Sequence, residues 1–311
     1  MKIITLTLSP AFDTHCHADS LLLEHENLIH MDLCQAGGKG VNISRALVSC
    51  GTENLALTVL GEENADSFCR NLTADGLTYE AITVPGQIRE NITIHVAGSA
   101  ETRLSFPGFP VTADLLNRVA EKLLPLADGD TVITMTGRVP QGMAVEDVMA
   151  LLRQAAEKGA KIVVDSRSFT LEHLKALGPW LIKPNQEEIS AYLGREISSL
   201  EQTLAEAKAL QEAGIANVMI SMGGDGALLV CEDGAFIAQP PRVEVKSTIG
   251  AGDSSIAGFL SCNADNPKAR LIHAVAYGTA ACMTEGTLPP RPEDVAALLP
   301  KIQCKVLNAE C

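Results

Sequence analysis

Between residues 112 and 182 the chain alternates helical and strand patterns with almost nothing in between. Helical spacing over 113–126 leads to an apolar run at 131–135. Helix 144–157 leads to strand 161–165, and helix 170–177 to strand 180–182. Strands separated by helices do not form hairpins; they pair in parallel through right-handed crossovers, with the helices covering the sheet. Strand 2–8, a helix ending near Gly51, strand 55–60, helix 64–75 and strand 79–84 extend the pattern towards the start. Helix 199–213, strands 217–222, 227–231 and 242–245, and helices near 268–285 and 293–301 extend it towards the end. The expected fold is α/β with a mostly parallel central sheet.

One part breaks the alternation. Residues 89–96 and 101–106 each alternate polar and apolar, with Gly98, Ser99 and Ala100 between them, which reads as a hairpin. Residues 18–34 read as irregular. With residues 10–34, the hairpin suggests a small β-sheet projecting from the main one. The expected division is a main domain of 1–9, 35–86 and 109–311, with 10–34 and 87–108 as a β lid. His15 and His17 alternate as on a strand; no third metal ligand is evident, so a solvated strand face is expected.

Charge excludes several functions. The net charge is −14, which repels phosphate backbones and anionic lipid. One Trp and three Tyr give little surface for base stacking. Neither nucleic acid nor membrane is an expected partner. The nine Cys have no zinc spacing and no C-x-x-C pair. With no signal-peptide pattern and no apolar run of spanning length, free thiols in a cytoplasmic protein are expected. An anionic substrate would need a local cluster of cations.

Four stretches carry chemistry. Gly250-Ala251-Gly252-Asp253 is a glycine turn running into a helix at Ser254. Unpaired N–H groups and the dipole at a helix start attract an anion. A carboxylate beside such donors can deprotonate an alcohol for phosphoryl transfer. Taken alone, Asp253 reads more simply as an N-cap. Gly37-Gly38-Lys39-Gly40-Val41-Asn42 opens a second helix with a cation beside it. Lys183-Pro184-Asn185-Gln186-Glu187-Glu188 has capping-box spacing, and Asn185 with Glu188 could instead orient water around Mg²⁺. Asp13, after Ser9-Pro10, would lie just past a strand end, on the rim where parallel sheets bind ligands, as would Arg138 and Asp165.

In this order and spacing, the stretch from Thr7 to Asp13 and the three glycine- and asparagine-bearing motifs are together highly specific. The chain resembles the phosphofructokinase-B, or ribokinase-like, carbohydrate kinases over essentially its whole length. Within them it is most similar to the branch that phosphorylates sugar phosphates. The resemblance implies a three-layer sandwich with a β lid, ATP and Mg²⁺ as cofactors, and dimer contact through the lid. It implies Asp253 as base, with Gly250, Ala251 and Gly252 as the anion hole. Asp13, Gly37, Gly38 and Asn42 would hold sugar hydroxyls. Lys39, Arg89, Asn91, Arg103 and Arg138 would hold the sugar's phosphate. Ser221, Gly223, Gly224, Gly226, Lys183 and Asn185 would line ATP. Glu188, through water, would organise Mg²⁺, with Asp165 as a further candidate. Ser9 and Arg138 depart from that branch, which commonly has Asn and Ser there. Fructose 1-phosphate is the expected substrate. Tagatose 6-phosphate, fructose 6-phosphate and an unphosphorylated sugar are alternatives, and a non-catalytic sugar-phosphate sensor is a distant one.

Overall fold

A computed structural model describes residues 1–98 and 101–307. The first half holds β1 (Lys2–Thr7), β2 (Ala11–Ala18), β3 (His30–Gly37), α1 (Lys39–Ser49), β4 (Leu55–Gly61), α2 (Ala65–Ala74), β5 (Tyr79–Val84), β6 (Arg89–Val96), β7 (Thr102–Ser105), α3 (Leu115–Leu123), β8 (Thr131–Thr136) and α4 (Val145–Glu157). The second holds β9 (Lys161–Asp165), α5 (Leu171–Leu177), β10 (Leu181–Ile182), α6 (Gln186–Leu193), α7 (Leu200–Glu212), β11 (Asn217–Ser221), β12 (Ala227–Cys231), β13 (Gly234–Gln239), α8 (Ala251–Ser261), α9 (Pro267–Cys282), α10 (Pro292–Leu298) and β14 (Gln303–Leu307).

Ten strands form one sheet in the order β14-β13-β12-β11-β10-β9-β8-β1-β4-β5. From β5 to β11 every pairing is parallel; β12, β13 and β14 add antiparallel. The parallel strands are rich in Ile, Val and Thr, whose branched side chains suit a sheet covered on both faces. Ile4 and Leu6 of β1 enter the core shared with α3, α4 and α7, while Ile3 points to the core shared with α1, α8 and α9. The chain runs outward from β1 first through β4 and β5, then the other way through β8 and β9. That reversal opens a crevice at the carboxyl ends of β1 and β8.

The second sheet has the order β3-β2-β6-β7, with β2 and β6 parallel and both outer pairs antiparallel. The hairpin expected at 89–106 is β6 and β7; Ser99 and Ala100 of its turn lie outside the described residues. Several details differ from expectation. Residues 18–34, expected to be irregular, contain the start of β3. Asp13 lies within β2, because the chain re-enters a strand at Ala11 after Pro10. His15 is buried and stacks on His95 with ring centroids 6.0 Å apart; only His17 is solvated. Residues 242–245 alternate like a strand but form none; they follow Pro240 and Pro241, which lack N–H donors for a ladder. β13 and β14 take the edge instead.

Helix α8 starts three residues before Ser254, at Ala251, and packs closely on α9. A Cβ on Gly258 would lie 2.4 Å from the His273 carbonyl oxygen and 2.8 Å from Tyr277 Cβ. Gly258→Ala is therefore expected to force the two helices apart and cost about 1–3 kcal/mol of stability. Urea unfolding should show a lower midpoint at unchanged slope; an unmoved midpoint would contradict this packing.

Candidate active site

Two helices begin at the crevice without side-chain caps. Gly38 precedes α1 at φ 111° and Gly250 precedes α8 at φ 78°, backbone conformations that side-chain-bearing residues rarely adopt. With no capping side chain, the first N–H groups of each helix are left for another acceptor. Asp253 is the third residue of α8 and makes no cap hydrogen bond, so the simple N-cap reading fails. Its carboxylate instead accepts a hydrogen bond from Asn42 Nδ2 of α1, at 2.9 Å to Oδ2. The two helices pack together, which brings residues 211 positions apart into contact.

Cations surround this acid. Asp165, buried at the carboxyl end of β9, accepts from Lys39 Nζ at 2.9 Å on Oδ2. Lys183 Nζ approaches the same oxygen at 3.8 Å. Lys183 is itself buried just beyond β10, and a Cβ on Gly252 would lie 2.9 Å from its Nζ. The ammonium therefore sits against the start of α8. Burial pushes the Asp253 carboxyl up to about 6; Asp165 adds to the rise, while Lys39, Asn42 and Lys183 oppose it. Burial works against the charge of Lys39, but Asp165 and Asp253 outweigh it and raise its pKa. Burial opposes the charge of Asp165 too, and Lys183 and Lys39 overcome it, holding that carboxyl below its usual range.

The second sheet supplies another set. Asp13 of β2 stands in register with Asn91 of β6 and accepts from its Nδ2 at 2.8 Å. Arg89 Nη1 donates to Asn91 Oδ1 at 2.9 Å, so the three form a chain. Burial raises the Asp13 pKa against the Asn91 hydrogen bond. Gly37 leaves the space this carboxylate fills, since a Cβ there would stand 2.1 Å from Asp13 Oδ2. Arg89 has a buried Nε with no partner, and burial plus the nearby charge of Arg138 lower its pKa. A second guanidinium close enough to disfavour the charge of Arg89 suits a shared anion. A cavity of ≈ 370 Å³ lies alongside, lined by Ser9, Gly108, Phe109 and the loop 140–142 that follows Arg138. Arg103 is not drawn into this set: it stands opposite Thr93, exposed, with Nη2 on Glu101 at 2.8 Å.

Asn185 and Glu188 form the capping box that their spacing suggested, with both reciprocal hydrogen bonds present. Glu188 Oε1 also accepts from Arg167 at 2.9 Å. Ser221 ends β11 and bridges to Asn185; Gly223 and Gly224 lie in the exposed turn that follows, which the buried Gly226 closes against the Ala238 carbonyl. Among the described residues no group of three or more His, Cys, Asp or Glu side chains converges as for a metal ion. With Asp165 Oδ2 on Lys39 and Glu188 already bonded, this donor set fits only a largely hydrated Mg²⁺, reached through water. A cavity of ≈ 10 Å³ between Asp165, Ser166, Glu188 and Tyr192 has room for one water.

Arg45 was not singled out in the sequence. It is 3% exposed and bonds Asn42, Asp75 and the Ala36 carbonyl. Its signal was a charge inside an otherwise apolar helix run, three residues after Asn42.

Three comparisons bear on this site. The model of the pfkB family carbohydrate kinases matches residues 22–291. The chain is 32% identical to the 1-phosphofructokinase of Escherichia coli K12 over 313 aligned positions, 99% of each chain. It is 33% identical to that of Vibrio cholerae over 259 residues, 83% of this chain and 81% of the other. The crystal structure of Escherichia coli phosphofructokinase-2 in complex with substrates and products superposes with a TM-score of 0.89 at 27% identity, covering 97% of this chain and 99% of that one.

The electrostatics make a direct prediction. In protein labelled with ¹³C-aspartate, one carboxyl resonance is expected to titrate near pH 6 and to vanish in Asp253→Asn. If every Asp titrated below about pH 5, the normal carboxylate range, the burial argument would be wrong.

Proposed function

The chain belongs to the pfkB family of carbohydrate kinases, and on that footing we propose that it uses ATP to phosphorylate fructose 1-phosphate, giving fructose 1,6-bisphosphate and ADP. Support for the sugar phosphate comes from the relatives' name, 1-phosphofructokinase. Arg138, close enough for its charge to lower the pKa of Arg89 in a chain of net charge −14, adds a reason to expect an anionic sugar.

The observation that carries the mechanism is Asp253: a buried carboxylate at the uncapped start of α8, with Lys39 and Lys183 nearby. Asp253 takes the proton of the attacking sugar hydroxyl. A bond forms between that oxygen and the terminal phosphorus of ATP, the bond to the bridging oxygen breaks, and ADP leaves. The amides at Gly250, Ala251 and Gly252 receive the charge on the moving phosphoryl group, joined by Lys183. Asp13, Gly37, Gly38 and Asn42 orient the sugar's hydroxyls. Lys39, Arg89, Asn91, Arg138 and, after a change of partner, Arg103 hold the phosphate it already bears. Asn185, Ser221, Gly223, Gly224 and Gly226 line the ATP phosphates. Mg²⁺, held through water by Glu188, would neutralise charge on those phosphates. Asp165 serves here as the counterion of the two lysines.

The same reading has two copies meeting through the small sheet. Leu22, Leu23, Leu28, Met31, Leu104 and Phe106, all in or beside that sheet, are exposed. Large exposed apolar side chains gathered in one region favour a protein partner.

Two outcomes are expected. Asp253→Asn should lower turnover by about 10²- to 10⁴-fold, the usual contribution of a general base, with the KM for ATP nearly unchanged. Near-normal turnover would remove Asp253 from the role. In a coupled ADP-release assay, fructose 1-phosphate should be preferred over fructose 6-phosphate, tagatose 6-phosphate and fructose. Preference for fructose itself would defeat the sugar-phosphate assignment.

A further inference from the structure

Arg45 sits one turn after Asn42 on the same side of α1. Its guanidinium is fixed from three directions. Nε donates to Asp75 Oδ2 at 2.8 Å, at the end of α2; Nη2 donates to the Ala36 carbonyl in β3; Nη1 donates to Asn42 Oδ1 at 3.3 Å. A guanidinium only donates, so the Asn42 atom facing it is the carbonyl oxygen. The NH₂ end of that amide then faces Asp253 Oδ2, at 2.9 Å. Turned the other way, the amide would set its NH₂ against a cation and its oxygen against a carboxylate, losing two charge-assisted hydrogen bonds at once.

We propose that Arg45 is a positioning residue: it locks the Asn42 amide with its NH₂ towards Asp253, and so fixes which carboxylate oxygen is held and which is free for the attacking hydroxyl. The proposal rests on the reading of Asp253 as the base. It makes the relay Asp75–Arg45–Asn42–Asp253 one unit spanning α2, α1 and α8. The Asn42 hydrogen bond holds the Asp253 pKa down against burial. A free amide therefore lets that pKa climb, and the base is protonated at a higher pH. The other charged groups facing Asp253 are Lys39 of α1, Asp165 of β9 and Lys183 beyond β10. Arg45 is also part of the charge around Asp13 on β2.

R45K separates charge from geometry. It keeps a cation beside Asp75 and Asp13 but not the planar fork that reaches Asn42. The acid limb of turnover in R45K should move up by about one pH unit, a tenfold loss on its acid side, with turnover recovering at higher pH and the KM for ATP within about twofold. In an N42A background R45K should shift the limb no further. The Asp253 carbon resonance should move upward in R45K by the same amount, which is measured without substrate. A wild-type chain releasing no ADP would thus refute the kinase reading while the resonance still decides the role of Arg45. R45Q repeats the measurements should R45K not fold. An unmoved limb and resonance in a folded variant, or an equal shift in the N42A background, would overturn the proposal.

Discussion

One buried carboxylate sets the terms for everything near it. Asp253 lies where a helix begins, out of bulk water, and holds its charge against the cost of burial through Lys39, Lys183 and a single amide hydrogen bond. These partners come from separate parts of the chain, α1 and the end of β10, and a third part ties the lysines together. Lys39 and Asn42 are on α1, which follows the second sheet. Lys183 follows β10. Asp165, which holds both lysines on one oxygen, ends β9. The parallel sheet is the device that brings them together, because it ends β1, β8, β9 and β10 along one rim.

The arrangement also explains its own glycines. Gly38 and Gly250 have positive φ at the starts of the two helices that meet, and no side chain caps either one. A cap would satisfy the amide donors locally and leave less for an anion. The site keeps those donors free at some cost in helix stability. The α7 helix, which takes no part in this pair, does the reverse, with a full capping box at Ser199 and Gln202.

Much of this was legible from the residues. The parallel core follows from strand and helix periods that local chemistry fixes, and the glycine motifs mark both helix starts. What escaped was decided by partners distant in sequence. β13 and β14 exist because they find an edge to pair with, while 242–245 has the right alternation and joins no sheet among the described residues. His15 alternates like a solvent-facing residue, yet the turn after α9 covers it: a Cβ on Gly286 would stand 3.2 Å from its Nε2. Arg45 gains its role only where Asp75, Ala36 and Asn42, none of them adjacent to it in sequence, meet around it. The spacing of Asn185 and Glu188, taken alone, favours a capping box over orienting water around Mg²⁺, and the capping box is realised.

The central claim is positional, so the most direct test is a position. A crystal structure with a nonhydrolysable ATP analogue and fructose 1-phosphate is predicted to place the acceptor hydroxyl within hydrogen-bond distance of Asp253, about 2.6–3.2 Å, with the terminal phosphoryl group over the start of α8. A complex in which that hydroxyl bonds elsewhere, or the phosphoryl group lies away from the residue 250–252 amides, would contradict the account.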